Sequence, residues 1–258
     1  MFEALEVAAF TRASPHKAPE ENEDAIGLFP LHGGGAVVAV ADGVGGQPGG
    51  ATAAKRVLES VWDAAVASSA DESSLRGAIL DGIERGNQVL LEAREGACTI
   101  VAAEIVGNHL RSYHVGDSAL WVTGQRGRLK LQTVAHSPVG YAVEAGLLDA
   151  DEALHHEDRH FISNAVGTAD MRIEVGSRLP LAARDTVLLA SDGLFDNLEP
   201  AEIVEFIRRG PLAEAARRIA DLCGERMLGQ QEGRPSKPDD LAFVLMRRVR
   251  GPASPSSA

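Results

Sequence analysis

The chain has 258 residues, 45% of them hydrophobic, and a formal net charge of −12. That length fits one sizeable domain. Lys and Arg form no basic block, which argues against nucleic acid or an anionic membrane surface as a partner, because both bind clustered positive charge.

The compartment is indicated by what the sequence lacks. The first residues have neither the basic nor the apolar segment of a signal peptide, and the apolar runs are too short to span a membrane. The two cysteines, Cys98 and Cys223, stand in unrelated contexts and form no metal knuckle or disulfide framework. We therefore expect a cytoplasmic protein in which both thiols are buried and inert.

Apolar patterns predict the elements in chain order. The first strands are expected at 5–12, 24–31 and 36–41, followed by helices at 50–68 and 74–94. A meander of strands follows at 98–106, 109–115, 119–123 and 129–134, and then an irregular polar segment at 136–168 with a helical piece near 151–156. Strands at 171–179 and 185–190, helices at 199–209 and 212–227, and a strand at 241–249 complete the pattern. Long antiparallel strands with helices in two pairs favour an α+β fold.

Acidic residues stand next to several of these strands. Asp42, Asp117 and Asp192 follow strands, and Asp239 immediately precedes the last one. In antiparallel sheets the end of one strand lies beside the start of its neighbour, so we expect these side chains along a single edge. An Asp-Gly pair alone is typical of a hairpin turn. Together, carboxylates without matching Lys or Arg need cations, and hard oxygen ligands suit Mg²⁺ or Mn²⁺.

Five segments resemble, in order, the motifs of the metal-dependent protein phosphatases of the protein phosphatase 2C type, in their bacterial-like form. They are Asn22-Glu23-Asp24-Ala25, Val40-Ala41-Asp42-Gly43-Val44-Gly45-Gly46, His114-Val115-Gly116-Asp117-Ser118, Ala190-Ser191-Asp192-Gly193-Leu194-Phe195-Asp196 and Asp239-Asp240-Leu241-Ala242. The resemblance spans residues 22 to 249. It implies a four-layer αββα sandwich, with two antiparallel sheets flanked by helix pairs. It also implies one catalytic domain over residues 1–250, a flap at about 136–168 beside the active site, and a disordered tail at 251–258.

The resemblance further implies a centre with two Mn²⁺ or Mg²⁺ ions and a weaker third. The residues that match its ligands are Glu23, Asp24, Asp42, Gly43, Asp117, Asp192 and Asp239. Asp42 would bridge both ions, and Asp192 and Asp239 would complete the first site. Glu23 and the carbonyl of Gly43 would serve the second.

Two further acids have their own implied roles, and some positions depart from the family pattern. Asp24 would hold metal-bound water, and Asp117 would help to bind the third ion.

Pro19 stands where the family carries its phosphate-binding arginine, which leaves Lys17 as the nearest cation. Lys17 can contact a phosphate oxygen as a point charge, or it can be an exposed, solvated lysine. Ala119 replaces an arginine that often follows Gly-Asp-Ser.

The resemblance implies a serine/threonine phosphatase that hydrolyses phosphoproteins with a metal-activated water. We expect a monomer that opposes a cytosolic Ser/Thr kinase. One alternative is a weakened, phosphatase-like binding or sensor module, which the missing arginine favours. Another is a nucleotide-binding enzyme built on the glycine loop at 43–50, but that loop lacks the Gly-Lys-Ser/Thr or Gly-x-Gly-x-x-Gly pattern such a site needs. His136 beside Ser137 lacks a nucleophile-elbow motif.

Overall fold

A computed structural model describes residues 5–31, 35–45, 49–68 and 72–248. The predicted tail at 251–258 lies outside these ranges. The strands are β1 (Leu5–Arg12), β2 (Ala25–Pro30), β3 (Gly35–Ala41), β4 (Ile100–Val106), β5 (His109–Val115), β6 (Ala119–Thr123), β7 (Leu129–Gln132), β8 (Glu174–Val175), β9 (Leu179–Pro180), β10 (Thr186–Ala190) and β11 (Leu241–Arg248). The α-helices are α1 (Gly50–Ala67), α2 (Glu72–Ala93), α3 (Pro138–Glu144), α4 (Ala150–Leu154), α5 (Asp192–Phe195), α6 (Pro200–Ile207) and α7 (Leu212–Met227).

The strands form two antiparallel sheets. The first has the order β1-β11-β10-β6-β7, and the second has the order β2-β3-β4-β5-β8, with β9 also pairing with β5. The first and last strands of the chain, β1 and β11, pair in the first sheet, where Leu5 is opposite Arg248 and Arg12 is opposite Leu241. The N-terminal strand therefore lies beside the C-terminal one, and both sheets take strands from distant parts of the sequence.

Three apolar layers show that the sheets stack face to face between helices. Along β3, Val37 and Ala39 pack with α1 and α2, whereas Val38 and Val40 pack with Leu189 and Val244 of the other sheet. This alternation follows from the period of two in a strand, which sends neighbouring side chains to opposite faces. The outer face of the first sheet packs against α6 and α7. The predicted αββα sandwich is confirmed.

The differences from the predicted elements lie mostly between residues 136 and 196. The segment at 136–168 contains α3, which was not predicted, and α4 begins and ends earlier than expected. The strand predicted at 171–179 is reduced to the two-residue strands β8 and β9, and the short helix α5 begins at Asp192. For the long, strongly periodic segments, most predicted ends lie within two residues of the observed ends. The burial pattern of such a segment is visible in its sequence.

Both thiols are buried, as expected: Cys98 lies among the residues that cover the second sheet and Cys223 lies on α7. Within the described ranges, no helix has the length and apolar character needed to cross a membrane.

Candidate active site

The acidic residues converge because strands of both sheets end at the same end of the sandwich. Asp42 follows β3, and Asp117 follows β5 after Gly116, whose φ is +102°. Asp192 follows β10 of the other sheet, and Asp239 precedes β11. The prediction of a single edge was therefore wrong in one respect: the acids come from two stacked sheets, not from one.

A hydrogen bond joins the two sheets at this end. The hydroxyl of Ser191, which follows β10, donates to Oδ2 of Asp24 at 2.7 Å, and Asp24 precedes β2 of the second sheet. The Ser191 amide also donates to the carbonyl of Ala242 at 3.0 Å. Asp24 is thus fixed between the sheets with its other oxygen, Oδ1, buried and without a hydrogen-bond partner among the described residues.

The predicted ligands line one cavity of about 270 Å³. Its wall includes the predicted residues Glu23, Asp42, Gly43, Asp117, Asp192 and Asp239, together with Lys17, Val44, Thr99, His160, Lys237 and Asp240. Asp24 does not line the cavity and lies behind it, 5% exposed. The structure therefore brings six of the seven predicted ligands to a common space, with the seventh buried beside them.

Two glycines allow the backbone to approach closely at this cavity. A Cβ at Gly43 would lie 2.4 Å from the carbonyl carbon of Gly50, and a Cβ at Gly193 would lie 1.9 Å from the carbonyl oxygen of Asp240. Both distances are shorter than any side chain tolerates, so these positions require glycine. The Gly-after-Asp pattern at 43 and 193 is thus a packing requirement of the site and not a hairpin turn.

The carboxylates raise one another's pKa values. Burial, followed by the charge of Asp192, raises the pKa of Asp24 to about 8, although the Ser191 hydroxyl opposes the shift. Burial and the charges of Asp192 and Asp196 raise the pKa of Asp117 to about 8. For Asp42, burial and four neighbouring aspartates raise the pKa well above its usual range. The inner part of the cavity therefore stabilises bound positive charge.

Two lysines contact the acidic residues, which corrects the expectation that no Lys or Arg matches them. Nζ of Lys237 lies 2.6 Å from Asp192, 2.7 Å from Asp196 and 3.1 Å from Asp239. Nζ of Lys17 lies 2.7 Å from Glu23 and 3.0 Å from Asp240. The two ammonium groups therefore compensate different acids: Lys237 pairs with Asp192, Asp196 and Asp239, and Lys17 pairs with Glu23 and Asp240.

The carboxylate of Asp240 links the first acidic segment to the last strand. It accepts the amide of Ser14 at 2.7 Å and the amide of Glu23 at 2.8 Å, in addition to Lys17. Because both oxygens already have donors, Asp240 holds the first acidic segment against the start of β11. Asp239 lines the cavity beside it, where its carboxylate accepts the Asp240 amide at 2.9 Å and lies 3.1 Å from Nζ of Lys237.

Sequence reasoning missed Lys237, Asp196 and His160 as members of the site. Asp196 could have been found, because it lies four residues after Asp192 at the start of a short helix, which places both on one face. Lys237 stands two residues before Asp239 in a loop rich in Gly and Pro. This closeness in sequence to a predicted ligand is only a weak indication that Lys237 belongs to the site. His160 comes from the 3₁₀ turn Glu157–His160 of the predicted flap, and only the tertiary fold brings it to the cavity.

A second polar group, formed by His114, His136 and Glu174, lies next to the site but does not suit a metal. Nδ1 of His136 accepts the Gly116 amide at 3.0 Å, so the ring proton of the neutral imidazole is on Nε2, which contacts Glu174 at 3.2 Å. Nε2 of His114 contacts the Val134 carbonyl at 2.8 Å. A metal would need the Nε2 lone pair of His136 that this arrangement removes. Ser137 caps α3 by accepting the Gly140 amide, and the partners of the His136 ring nitrogens are Gly116, Asn164 and Glu174, not Ser137.

Comparison with known proteins agrees with this geometry. The family model described as protein phosphatase 2C matches residues 14–230. The serine/threonine phosphatase stp of Listeria welshimeri is 28% identical over 72% of this chain and 77% of its own. The serine/threonine protein phosphatase PstP of Mycobacterium tuberculosis is 30% identical over 78% of this chain and 39% of its own.

A solved structure gives the same result for the fold. The serine/threonine phosphatase of S. agalactiae superposes with a TM-score of 0.80 at 26% identity, over 94% of this chain and 99% of that one. Two stacked antiparallel sheets with an acid-lined cavity at one end define a phosphatase-type hydrolase. The chain belongs to the protein phosphatase 2C family.

Proposed function

We propose that the protein is a Mn²⁺- or Mg²⁺-dependent phosphatase that hydrolyses phosphoserine and phosphothreonine in proteins. The observation that carries the proposal is the convergence of Asp42, Asp192 and Asp239 on one cavity, where the pKa of Asp42 is raised well above its usual range by burial and neighbouring charge. Carboxylates held in this way are costly unless cations compensate them. The names of the relatives as serine/threonine phosphatases support the same substrate class.

The donor set suits hard divalent ions. The cavity offers carboxylate and carbonyl oxygens, with no cysteine in its wall, and such ligands are those that Mg²⁺ and Mn²⁺ prefer. Oδ1 of Asp24 is buried without a hydrogen-bond donor among the described residues, and Asp24 lies behind the cavity next to the carboxyl of Asp42. A protein of the same fold, the catalytic domain of PstP, was solved in complex with two manganese ions, at 24% identity and a TM-score of 0.75.

Each residue would have one task in this centre. Asp42 would bridge the two ions, with Asp192 and Asp239 on the first and Glu23 and the Gly43 carbonyl on the second. When bound, the ions would supply a water of lowered pKa and neutralise charge on the phosphoryl oxygens.

The remaining residues would orient the reactants. Asp24, fixed by Ser191, would accept a hydrogen bond from the attacking water, and Asp117 would add negative charge for a third, weaker ion. Lys17 lies at the wall of the cavity and would contact a phosphate oxygen in place of the family's arginine.

Burial raises the pKa of the Cys223 thiol to about 12 and that of the Cys98 thiol further still. Neither cysteine suits a phosphoenzyme mechanism, which supports direct attack by water.

The test is hydrolysis of p-nitrophenyl phosphate and of a phosphoserine peptide with Mn²⁺, with chelator, and with the variant Asp192→Asn. We expect chelator to abolish turnover and the variant to lose about a thousandfold in kcat/KM, because charge stabilisation at a metal contributes several kcal/mol. Asp221→Asn, on the exposed face of α7, is the matched control and should retain full activity. Turnover that survives chelation would reject the proposal. Binding of the phosphopeptide without turnover would favour the sensor module.

We further infer a monomer in the cytoplasm that opposes a Ser/Thr kinase. The relatives' names, serine/threonine phosphatase and serine/threonine protein phosphatase, support the opposition to such a kinase. Sedimentation of the purified protein tests the monomer, and cell fractionation tests the compartment.

A further inference from the structure

Lys237 places a fixed positive charge in the acidic cavity. Its Nζ lies 2.6 Å from Oδ2 of Asp192, 2.7 Å from Oδ2 of Asp196 and 3.1 Å from Oδ2 of Asp239. The ammonium donates a hydrogen bond to Asp192, and its contacts with Asp196 and Asp239 are ion pairs. The side chain is 22% exposed, so most of it is removed from water. This contact set is therefore more than a surface ion pair.

The backbone of Lys237 is held in place by a buried amide. The Lys237 amide donates to Oδ1 of Asn197 at 2.9 Å, and the Lys237 carbonyl accepts from Nδ2 of Asn197 at the same distance. Asn197 is fully buried, and its Nδ2 also donates to the carbonyl of Gly193, next to Asp192. The segment that carries Lys237 is thereby fixed to the segment that carries Asp192 and Asp196, and the ammonium has a defined position.

The positive charge is unevenly distributed over the acids. Lys237 contacts Asp192, Asp196 and Asp239, which flank strands of the first sheet. Lys17 contacts Glu23 and Asp240. Neither lysine makes an ion pair with Asp42. Two of the three carboxylates assigned to the first metal site, Asp192 and Asp239, are thus the ones that Lys237 already engages.

We propose that Lys237 is a resident cation of this centre, which competes with a divalent ion for Asp192 and Asp239. The inference rests on the metal-dependent function proposed above. It follows that the ammonium keeps the outer acids together when no metal is bound, and that it lowers the affinity of the first site for the ion. Metal loading then requires the ammonium to withdraw from Asp192 and Asp239, while Asp196 remains available to it.

The opposite possibility is that Lys237 orients the two ligands from behind, in the manner of an outer-shell partner. Removal of such a partner weakens metal binding, typically by about 10- to 100-fold. Removal of a competing positive charge strengthens it, since two like charges a few ångströms apart repel even at an intermediate dielectric constant. The sign of the change in affinity therefore separates a competing cation from an orienting residue.

The experiment measures Mn²⁺ binding to the metal-stripped full chain, by calorimetry and by the electron paramagnetic resonance signal of free Mn²⁺. Variants are Lys237→Met, Lys237→Gln as a neutral hydrogen-bonding alternative if the first fails to fold, and Lys237→Arg, which keeps the charge. We expect the neutral variants to bind Mn²⁺ about tenfold more tightly than the wild type. They should also unfold at a lower temperature in chelator. Lys237→Arg should resemble the wild type in both measurements.

Lys130→Met is the matched control, because Lys130 pairs with buried Asp185 at 2.7 Å, far from the cavity. It should lower the unfolding temperature without changing the Mn²⁺ affinity. If the wild type is active and the neutral variants bind Mn²⁺ equally or more weakly, the proposed competition by Lys237 is wrong, while the metal-dependent function stands. A wild type that binds no Mn²⁺ would overturn the metal-dependent function together with this inference.

Discussion

Two groups of ionisable side chains lie near the end of β5, and they differ in how their charges and hydrogen bonds are satisfied. His136 has a partner at each ring nitrogen, and its ring stacks on that of His114 at 4.4 Å. In the neighbouring acidic cavity, Asp42 and Asp117 have raised pKa values because each is buried and its nearest charges are mainly other carboxylates.

The difference separates a structural group from a functional one. A buried polar group with a partner at each polar atom, such as the His136 ring, stabilises the fold around it, whereas Nδ1 of His114 is buried without a hydrogen-bond partner among the described residues. A carboxylate whose neighbours are carboxylates destabilises the protein until a cation binds, so its presence is explained by what it binds. His136 anchors Gly116 and thereby the turn that presents Asp117, whereas the aspartates are the proposed ligands of the metal ions.

The largest effect is expected from Asp42→Asn, which changes activity and stability in opposite directions. Turnover with Mn²⁺ should fall about a thousandfold or more, because the proposed bridge between the ions is lost. The metal-free protein should unfold at a higher temperature than the wild type, because the substitution removes a carboxylate whose charge the fold disfavours. Hydrolysis assays and thermal unfolding in chelator measure both.

The gain in stability should depend on pH. The folded-state pKa of Asp42 lies above its unfolded value, so the stability that the protonated carboxyl contributes is present below the unfolded pKa of about 3.9 and is lost as pH rises towards the folded pKa. Asp42→Asn should therefore exceed the wild type by more at pH 8 than at pH 5. Asp185→Asn, which removes the paired carboxylate of Lys130, should instead lose stability and keep activity. An Asp42→Asn variant that is less stable than the wild type at pH 8 would contradict this account.

A smaller effect is expected from Lys17→Ala. If Lys17 contacts a phosphate oxygen, its removal should raise KM by roughly three- to tenfold and lower kcat less, because the lost contact serves substrate binding. Lys17→Arg should restore most of the affinity, since the charge remains. Steady-state kinetics with the phosphoserine peptide measure both constants. Unchanged KM in the alanine variant would confine Lys17 to its ion pairs with Glu23 and Asp240.

The sequence predicted the strands and the acids at their ends because both signals are local. An apolar run followed by Asp-Gly identifies the end of β3 and of β10 without reference to any other part of the chain. Which sheet each strand joins depends on pairings between distant residues, such as Leu5 with Arg248, and the prediction of one shared edge was wrong for that reason.

Two other omissions have different causes. The helix α3 was missed although Ser137-Pro138 carries a start signal, a capping serine followed by proline at the first helical position. Lys237 could not be found by such a pattern, because its position depends on the hydrogen bonds of its backbone with buried Asn197. Local signals thus located the proposed ligands, whereas the lysine that pairs with two of them is placed by tertiary contacts.

The smallest effect is expected from Glu174→Gln in the histidine group. The Glu174 side chain is 54% exposed, and a glutamine oxygen can still accept the proton of His136 Nε2. The free energy of unfolding should change by no more than about 0.5 kcal/mol, as is usual for exposed polar contacts. Turnover should stay within about twofold, and the number of Mn²⁺ ions bound per chain should not change. Urea unfolding and elemental analysis of the loaded protein measure these quantities. A lower metal content in Glu174→Gln would make the histidine group a ligand site and remove the distinction between the two groups.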